Sequence, residues 1–180
     1  LRNSDGTGVM AGLTHVCNVH GFNFEIVESN KDKMRVKFPH PASYGFECLR
    51  EGDIIAFIDP KTLLEVGRTK LLHAELRDEY YYDLVLTTYD PPIGEGGFVE
   101  CVSANPDFEF SNNALNRSAG NGVLCTTRGK IRIENNKVLN TGECGICIYD
   151  DATETFESGP VEDVIISNNA FMNCEGNAIL

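Results

Sequence analysis

The second half of the chain repeats one short pattern of alternating hydrophobic and polar residues. FEFSNNAL, IRIENNKV and VIISNNAF begin at Phe108, Ile131 and Val164, and their second asparagines are spaced by 23 and 33 residues. Nine residues after each of these asparagines comes a short apolar run: GVLC, GICI and AIL. A period near 23 residues, with two short strands and Asn-rich corners, predicts a solenoid of parallel strands. We therefore expect a right-handed parallel β-helix.

Equivalent positions of the repeat predict which residues stack on one another. Leu115, Val138 and Phe171 occupy one such position, so we expect them to form an interior column. Asn tolerates left-handed backbone and hydrogen-bonds its own backbone, which suits tight corners. A helical interpretation fails, because β-branched residues alternate with polar ones and no 3.6-residue stripe persists. The corner residues expected to stack are Asn113, Asn136 and Asn169.

An acidic insertion interrupts one of the repeats. The longer repeat exceeds the shorter by ten residues, and DDATETFESG, residues 150–159, is ten residues long. It follows directly on an apolar strand expected over residues 145–149, opens with Asp150 and Asp151, and contains Glu157. A solvated turn capped by acids would explain this composition. A sugar-binding or sugar-cleaving site would explain it equally well.

Residues 22–96 break the short repeat with longer alternating segments. These segments are KMRVKF, DIIAFID, TKLLHAEL and YYDLVLTTY, and turn signals such as HPASYG and YDPPIGEGG separate them. Short strands at this spacing predict a small antiparallel β-barrel. The predicted fold is therefore all-β: a right-handed parallel β-helix, partial over 1–21 and continued over 97–180, interrupted by a small antiparallel β-barrel over 22–96.

Composition and charge narrow the classes of partner. The chain has 180 residues, 42% of them hydrophobic, which is enough for a core in one or two domains. A net charge of −12 argues against nucleic acid as a partner. No run of eighteen apolar residues is present, so no membrane span is expected. The start at Leu1 without Met and the strand-like end NAIL lead us to expect a piece of a longer protein.

The seven cysteines are expected to be packing residues. Cys144 and Cys147 have the spacing of a metal or redox pair, but a zinc ribbon needs a second pair and none is present. Cys147 also lies between Ile146 and Ile148 along the expected strand, and free cysteine is among the most buried residue types. No metal site is predicted.

The acidic insertion offers candidate catalytic carboxylates, Asp150 and Asp151. Paired carboxylates act on a glycosidic bond at about 5–5.5 Å for retention of configuration and roughly 6.5–9.5 Å for inversion. Neighbouring residues of a regular strand point to opposite faces, so the two can share a site only if the strand ends before them. Phe156 lies among these acids, and aromatic rings beside carboxylates are typical of sugar sites.

The segment NVHG and a nearby arginine supply candidate substrate-binding residues. In NVHG, Asn18 and His20 lie where the solenoid meets the barrel, and His20 could bind a sugar hydroxyl or carry a proton. A structural histidine is the alternative. Arg128, in the coil before the insertion, could pair with its acids, including Glu157, or form a simple salt bridge. Loops leave a solenoid at fixed corners, so we expect Asp150 and His20 to border one polar pocket.

Several of these motifs occur in one order that resembles glycoside hydrolase family 110. They are NVHG, YGFECLREGDIIAFIDPKTL, LCTTRGKIRIENNKVLNTG and ICIYDDATETFESGPVEDVIISNN, and the similarity runs from about Gly12 onward. The resemblance implies a β-helix exo-enzyme that removes terminal α-1,3-linked galactose with inversion. It further implies a carbohydrate partner, no cofactor, and a periplasmic or secreted location in bacteria; a homodimer is left open.

The chain departs from that family at one position of the site. The resemblance implies an acidic pair just before NVHG and another acid one coil earlier, but here Thr14 and His15 occupy the places of the pair and the earlier coil would precede Leu1. The leading hypothesis is a glycoside hydrolase-like protein whose catalytic competence is open. The alternatives are a galactoside-binding module and a structural β-helix without a ligand. The residues that carry over are Asp150, Asp151, Glu157, Asn18 and His20.

Overall fold

The protein forms two compact units. In a computed structural model, residues 9–12, 14–151, 154–158 and 160–180 are described. The solenoid unit comprises residues 1–20, 106–149 and 161–180, and the barrel unit comprises residues 21–105 and 150–160. The sequence had placed the acidic insertion and residues 97–105 with the coils; in the structure both group with the barrel.

Strands dominate the described part of the chain, as expected for the predicted all-β fold. Two short 3-10 helices, Pro41–Ser43 and Val102–Ala104, are the helical elements of the described residues, where no helix is long and apolar enough to cross a membrane. The strands are β1 (Val9–Gly12), β2 (Cys17–Asn30), β3 (Lys33–Lys37), β4 (Ile54–Ile58), β5 (Glu65–Leu76), β6 (Tyr81–Leu86), β7 (Phe98–Cys101), β8 (Phe108–Ser111), β9 (Ala114–Ser118), β10 (Val123–Thr126), β11 (Lys130–Glu134), β12 (Lys137–Thr141), β13 (Ile146–Cys147), β14 (Glu157–Ser158), β15 (Asp163–Ser167) and β16 (Ala170–Cys174).

The solenoid unit is a β-helix with three faces, and the strands within each face run parallel to one another. Its first sheet has the order β1-β9-β12-β16 and its second the order β15-β11-β8. The third face joins β13, β10 and the first residues of β2, Cys17 to His20, in parallel register. The coil of β8, β9 and β10 and the coil of β11, β12 and β13 each contribute one strand to every face, which confirms the predicted β-helix.

The predicted interior column is present. Val138 pairs with Leu115 on one side and with Phe171 on the other. Leu115 and Val138 are 1% and 0% exposed, whereas Phe171, in the last coil of the chain, is half-buried. Burial of such a side chain contributes roughly 1.5–3 kcal/mol. Stacked coils therefore share one continuous apolar core.

The asparagine corners also stack as predicted, and the two asparagines of each pair have different structural roles. The first residue of each pair takes the left-handed backbone, with φ of 57° at Asn112, 58° at Asn135 and 55° at Asn168. The second residue bonds to its counterpart in the next coil. This division explains why the repeat requires two asparagines rather than one.

The barrel unit closes into a ring of six antiparallel strands. The order is β2-β3-β6-β5-β4-β7, and β7 pairs again with β2. Alternate side chains fill the interior, among them Phe24, Val36 and Phe57, each at most 1% exposed. The sequence predicted that the barrel ends at residue 96, but β7 lies beyond that point and pairs with both β2 and β4. The barrel is longer than predicted because its closing strand comes last.

The barrel and the acidic insertion both begin directly after equivalent residues of the third face. His20 is level with Thr126 in the parallel register. Continuing the pairing of Leu124 with Cys147 by two residues brings Thr126 level with Tyr149, whose carbonyl accepts a 2.8 Å hydrogen bond from Thr126 Oγ1. The chain therefore leaves the β-helix at one corner twice, once for the barrel and once for the acidic insertion.

Candidate functional site

The acidic segment, residues 150–151 and 154–158, is built into the sheet of the barrel unit. Its strand β14 pairs antiparallel with β2, with Glu157 opposite Phe22. The backbone N–H of Asn23 donates to the carbonyl of Phe156 at 2.9 Å, and that of Asp151 donates to the carbonyl of Glu157 at 3.1 Å. The segment is therefore an ordered extension of the barrel rather than a solvated turn.

The carboxylate of Asp151 organises this segment. Its Oδ2 accepts hydrogen bonds from Thr155 Oγ1 at 2.7 Å, Phe156 N at 3.3 Å and Glu154 N at 3.2 Å, and also from the Thr155 N–H. Asp151 is 9% exposed. Backbone N–H groups directed at a carboxylate form charge-assisted bonds, which are stronger than neutral ones. Asp151 therefore holds the turn in shape, and its predicted catalytic role stays a prediction.

The strand before the acidic segment ends early enough for Asp150 and Asp151 to share a site. The sequence predicted a strand over residues 145–149, but β13 ends at Cys147. The regular alternation of faces therefore stops before the two acids. Asp150 is half-buried, and Glu157, the third acid, is 8% exposed.

Phe156 has a packing role that the sequence interpretation missed. Its ring meets Phe98 edge-on, with centroids 6.0 Å apart, and it packs against the buried cluster of Ala56, Ile58 and Phe98. The suggestion that Phe156 is a sugar-stacking platform is therefore replaced. Its ring anchors the acidic segment on the outer face of the barrel.

A buried polar pair beside the acidic segment was not predicted. Glu100 is 0% exposed and lies opposite Asn23, which is 2% exposed, in the pairing of β7 with β2. Asn105 Nδ2 donates to the Glu100 carboxylate at 2.9 Å. Asn23 Oδ1 has no hydrogen-bond partner among the described residues. The signal in the sequence was a single acid between Val99 and Cys101 in an otherwise apolar strand.

Asn18 and His20 point away from the core of the β-helix. Cys17 and Val19, which alternate with them, pack against the solenoid core. Adjacent strand residues face opposite sides, so Asn18 and His20 face outward, where Asn18 is exposed and His20 half-buried. Their roles in binding a ligand stay predictions. His20 belongs to the solenoid unit and Asp150 to the barrel unit, so a pocket bordered by both stays a prediction.

Arg128 lies within salt-bridge distance of Glu162, and both interpretations of Arg128 stay predictions. Its side chain is 6% exposed, and Nη1 lies 3.8 Å from a carboxylate oxygen of Glu162, whose side chain is 65% exposed. Both residues belong to the solenoid unit. A role of Arg128 in substrate binding stays a prediction.

Thr14 and His15 stand where the resemblance implies an acidic pair, and both support the coil. The carbonyl of Thr14 accepts bonds from Ser118 Oγ at 2.8 Å and from Gly120 N at 2.5 Å. The Nδ1 atom of His15 accepts a 3.1 Å bond from the backbone N–H of Asn121. Neither residue supplies a negative charge.

The cysteine spacing does not assemble a metal site in the described residues, where no group of three or more His, Cys, Asp or Glu side chains could hold an ion. Cys144 and Cys147 are buried and pack together with Leu124. This arrangement agrees with the packing interpretation of the pair.

Comparison with known proteins assigns the barrel to a described domain family. Residues 33–92 match the family described as GLAA-B beta-barrel domain II. Over nearly the whole chain, the protein is similar to the alpha-1,3-galactosidase A of Bacteroides thetaiotaomicron, at 33% identity over 87% of this chain and 28% of the relative. Alpha-1,3-galactosidase A of Akkermansia muciniphila is 31% identical over 94% of this chain and 29% of its own.

A second type of relative and one solved structure complete the comparison. Alpha-1,3-galactosidase B of Bacteroides thetaiotaomicron is 34% identical over 86% of this chain and 25% of its own. The crystal structure of the tailspike protein gp49 from Pseudomonas phage LKA1 covers 92% of this chain and 39% of its own at a TM-score of 0.38 and 12% identity, too distant a likeness to carry an argument. The resemblance to glycoside hydrolase family 110 is confirmed, and the chain spans about 28% of the length of the first of these relatives.

Proposed function

We propose that this chain is part of a glycoside hydrolase-like protein that recognises terminal α-linked galactose on glycans. The relatives it matches over most of its length are named α-1,3-galactosidases. The proposed ligand is the galactose end of a neutral glycan, in line with the net charge of −12. An extracytoplasmic bacterial location and a reaction without a cofactor belong to the same proposal.

The burial of the acids of the insertion carries this proposal. A solvated turn would expose its carboxylates, whereas Asp151 and Glu157 are 9% and 8% exposed. Burying a charged group costs free energy unless it is paired or hydrogen-bonded. Asp151 is held by hydrogen bonds within its own segment, and its backbone N–H donates to the carbonyl of Glu157, so the acids of the insertion are gathered in one ordered segment that a sugar could contact. Sugar hydroxyls donate well to carboxylates, since charge-assisted hydrogen bonds are the strong ones.

Recognition without efficient hydrolysis is the second candidate function, and one observation favours it. Thr14 and His15 occupy the positions of the implied acidic pair, and both accept hydrogen bonds within the solenoid unit. General acid and base assistance contributes typically about 10²–10⁴-fold for each group. A hydroxyl and an imidazole do not replace the negative charge of two carboxylates beside an oxocarbenium-like transition state. The chain would then bind galactose and turn it over slowly.

Galactose binding by matched acid variants tests the proposal. The parent chain, Glu157→Gln and Glu154→Gln are titrated with galactose and, separately, with glucose, and saturation-transfer NMR follows binding. Glu157 is buried, whereas Glu154 is an exposed acid of the same segment and serves as the control. We expect galactose to bind in preference to glucose, Glu157→Gln to weaken binding about tenfold or more, and Glu154→Gln to leave it unchanged. Equal binding of both sugars, or equal effects of the two variants, would refute the proposal.

A further inference from the structure

A polar groove crosses the coils of the solenoid at the turn that connects its first and third faces. It consists of two adjoining cavities of about 570 and 310 Å³ that share Ala119. The larger cavity is bordered by Asn140, Asn173 and Glu175, and the smaller by His15 and Glu143. We call this feature the turn groove. It lies within the solenoid unit, and its smaller cavity is also lined by Thr14, so that both residues at the places of the implied acidic pair border it.

Close stacking of the coils fixes the floor of the turn groove. A Cβ atom added to Gly142 would lie 2.3 Å from the carbonyl oxygen of Ala119, and one added to Gly120 would lie 2.5 Å from that of Thr14. Both distances are far shorter than a van der Waals contact, so the turn has no room for side chains at these positions. The floor is therefore backbone, and no side chain there can swing in to close the groove.

An exposed ladder of amides runs along the wall of the turn groove. Asn173 Nδ2 donates to Asn140 Oδ1 at 3.0 Å, and Asn140 Nδ2 donates to Asn116 Oδ1 at 2.7 Å. An amide offers two donor hydrogens and two acceptor lone pairs, and a ladder bond uses only one of each. The remaining hydrogen and lone pair of each amide are available to a ligand. Successive rungs are separated by one coil, about 4.8 Å.

This outer ladder is exposed, whereas the corner column inside the β-helix is more buried and adds bonds to the backbone to its own side-chain ladder. Asn136 in the corner is 1% exposed, and its amide bonds to backbone groups of neighbouring coils. Asn140 and Asn173 are exposed, and the bonds that join them to each other and to Asn116 run between side chains. Hydrogen bonds between exposed groups contribute little to folding because water competes for them. A row of paired donors and acceptors matches a row of hydroxyl groups, each of which also donates and accepts.

The charge around the groove selects among glycans. Glu143 and Glu175 are both exposed at its edge, and the whole chain has a net charge of −12. Uronic acids and sulfated sugars would be repelled at close range, since like charges near one another are unfavourable. Neutral sugars would not be repelled, and their hydroxyls can donate to the carboxylates.

We propose that the turn groove binds a neutral oligosaccharide chain and forms a second carbohydrate site, apart from the acidic segment. The choice of a glycan rests on the proposed function; the groove, its floor and its amide ladder rest on the geometry alone. Galactose by itself is too small to reach along all three amides of the ladder, from Asn116 to Asn173, which are two coil spacings or about 9.6 Å apart. The turn groove therefore responds to chain length, whereas the acidic segment responds to the terminal sugar.

Two-probe NMR tests the proposal. The ¹⁵N-labelled chain is titrated with galactose alone and with a neutral galactose-terminated tetrasaccharide, and amide shifts are followed residue by residue. We expect the tetrasaccharide to give saturable shifts at Ala119, Gly142, Glu143 and Glu175 that galactose does not give. Absence of these shifts refutes the groove even when galactose shifts the acidic segment, and that pattern leaves the proposed function standing. Groove shifts without any galactose effect on the acidic segment support the groove and refute the proposed function.

Matched glycine variants separate binding from folding. Asn140 and Asn173 have φ of 57° and 54°, so Asn140→Gly with Asn173→Gly removes both amides and keeps the left-handed backbone. Asn135→Gly with Asn168→Gly is the control, because these residues are also exposed, with φ of 58° and 55°, and lie at the opposite corner. We expect about tenfold weaker tetrasaccharide binding in the groove pair, and a change of less than about twofold in the control pair.

An occluding variant covers the case in which the glycine pair fails to fold. Ala119 is exposed where the two cavities meet, so Ala119→Leu fills the groove without touching the core. It should weaken tetrasaccharide binding by about as much as the glycine pair, while Ala170→Leu, at an exposed position outside the groove, should not. Unchanged binding in Ala119→Leu, or equally tight binding of a sulfated tetrasaccharide, overturns the proposal.

Discussion

The side chain of Asn169 reaches across one coil to Asn136, 33 residues earlier in the chain. Its Oδ1 accepts hydrogen bonds from both the backbone N and the Nδ2 of Asn136, each at 2.9 Å. Asn136 repeats the arrangement toward Asn113, 23 residues earlier, at 2.9 and 3.2 Å. The corner therefore keeps one geometry whether the connecting segment contains the acidic insertion or not. This constancy is what lets the β-helix accept insertions.

Removing the middle asparagine of this column should destabilise the solenoid. Asn136→Ala removes the hydrogen bonds that the Asn136 side chain makes with the carbonyl of Phe110 and the backbone N–H of Asn113. A buried group without a partner costs about 1–3 kcal/mol, so we expect a loss of about 2–4 kcal/mol in the free energy of unfolding. Urea unfolding followed by circular dichroism measures it. Asn135→Gly, at the exposed neighbour with φ of 58°, is the control and should change stability little.

The interior column should be sensitive to truncation. Leu115 is 1% exposed and pairs with Val138. Leu115→Ala should lower the free energy of unfolding by about 2–5 kcal/mol, because it removes buried methyl groups and leaves a cavity. Met172→Ala, at a residue that is 62% exposed, should cost less than about 0.5 kcal/mol. Similar losses for the two variants, measured by thermal unfolding, would contradict the stacked core.

An ion pair on the barrel should make stability depend on pH in a predictable direction. The Arg35 guanidinium donates to both carboxylate oxygens of Asp83, at 2.7 and 3.1 Å, and lowers the pKa of that carboxyl below its usual value. A lowered folded-state pKa stabilises the folded state above the unfolded pKa, and the contribution disappears as pH falls through the folded pKa. Asp83→Asn should therefore be less stable than the parent at pH 7, and the difference should disappear as the pH falls from 7 through the folded pKa of Asp83.

Urea unfolding across that range measures the difference between parent and variant. The effect should be small, since both side chains are about one third exposed and water screens the pair. Asp90→Asn, at an exposed acid of the same unit, supplies the control. A difference that grows as the pH falls would have the wrong sign for this ion pair.

Two buried cysteines should resist alkylation in the folded protein. Burial raises the pKa of Cys101 and of Cys125 to about 12, so almost no thiolate is present at pH 8. We expect iodoacetamide at pH 8 to modify the half-buried Cys174 first and to reach Cys101 and Cys125 only after unfolding. Peptide mass spectrometry gives the order of modification. Early labelling of Cys125 would show that the solenoid core is open to solvent.

The parts of the fold that repeat could be predicted from the sequence. Asn136 and Val138 recur at fixed offsets because each coil must satisfy the same corner and fill the same core, so the column and its register were evident before the structure. Strand β7 was assigned to the wrong unit because FVEC is short and apolar, and its pairing with β2 and β4 is set by barrel closure rather than by local pattern.

The candidate site was less accessible to sequence reasoning. The acids of the insertion were found because they break the repeat, but the packing of Phe156 on Phe98 depends on residues 58 positions apart. The burial of Glu100 likewise follows from barrel closure. The turn groove leaves no local signal at all, because Ala119, Asn140 and Asn173 become neighbours only when three coils stack. Such features arise from contacts that a single coil does not contain.

Release of galactose from an α-1,3-linked disaccharide tests the central claim most directly. The parent chain is assayed beside Asp150→Asn and Asp151→Asn, with thermal unfolding to show that each variant is folded. Because Thr14 and His15 replace the implied acidic pair, we predict galactose binding with little or no hydrolysis in all three proteins. Robust turnover by the parent that either substitution abolishes would contradict the account, since it would make the acidic segment itself the catalytic centre.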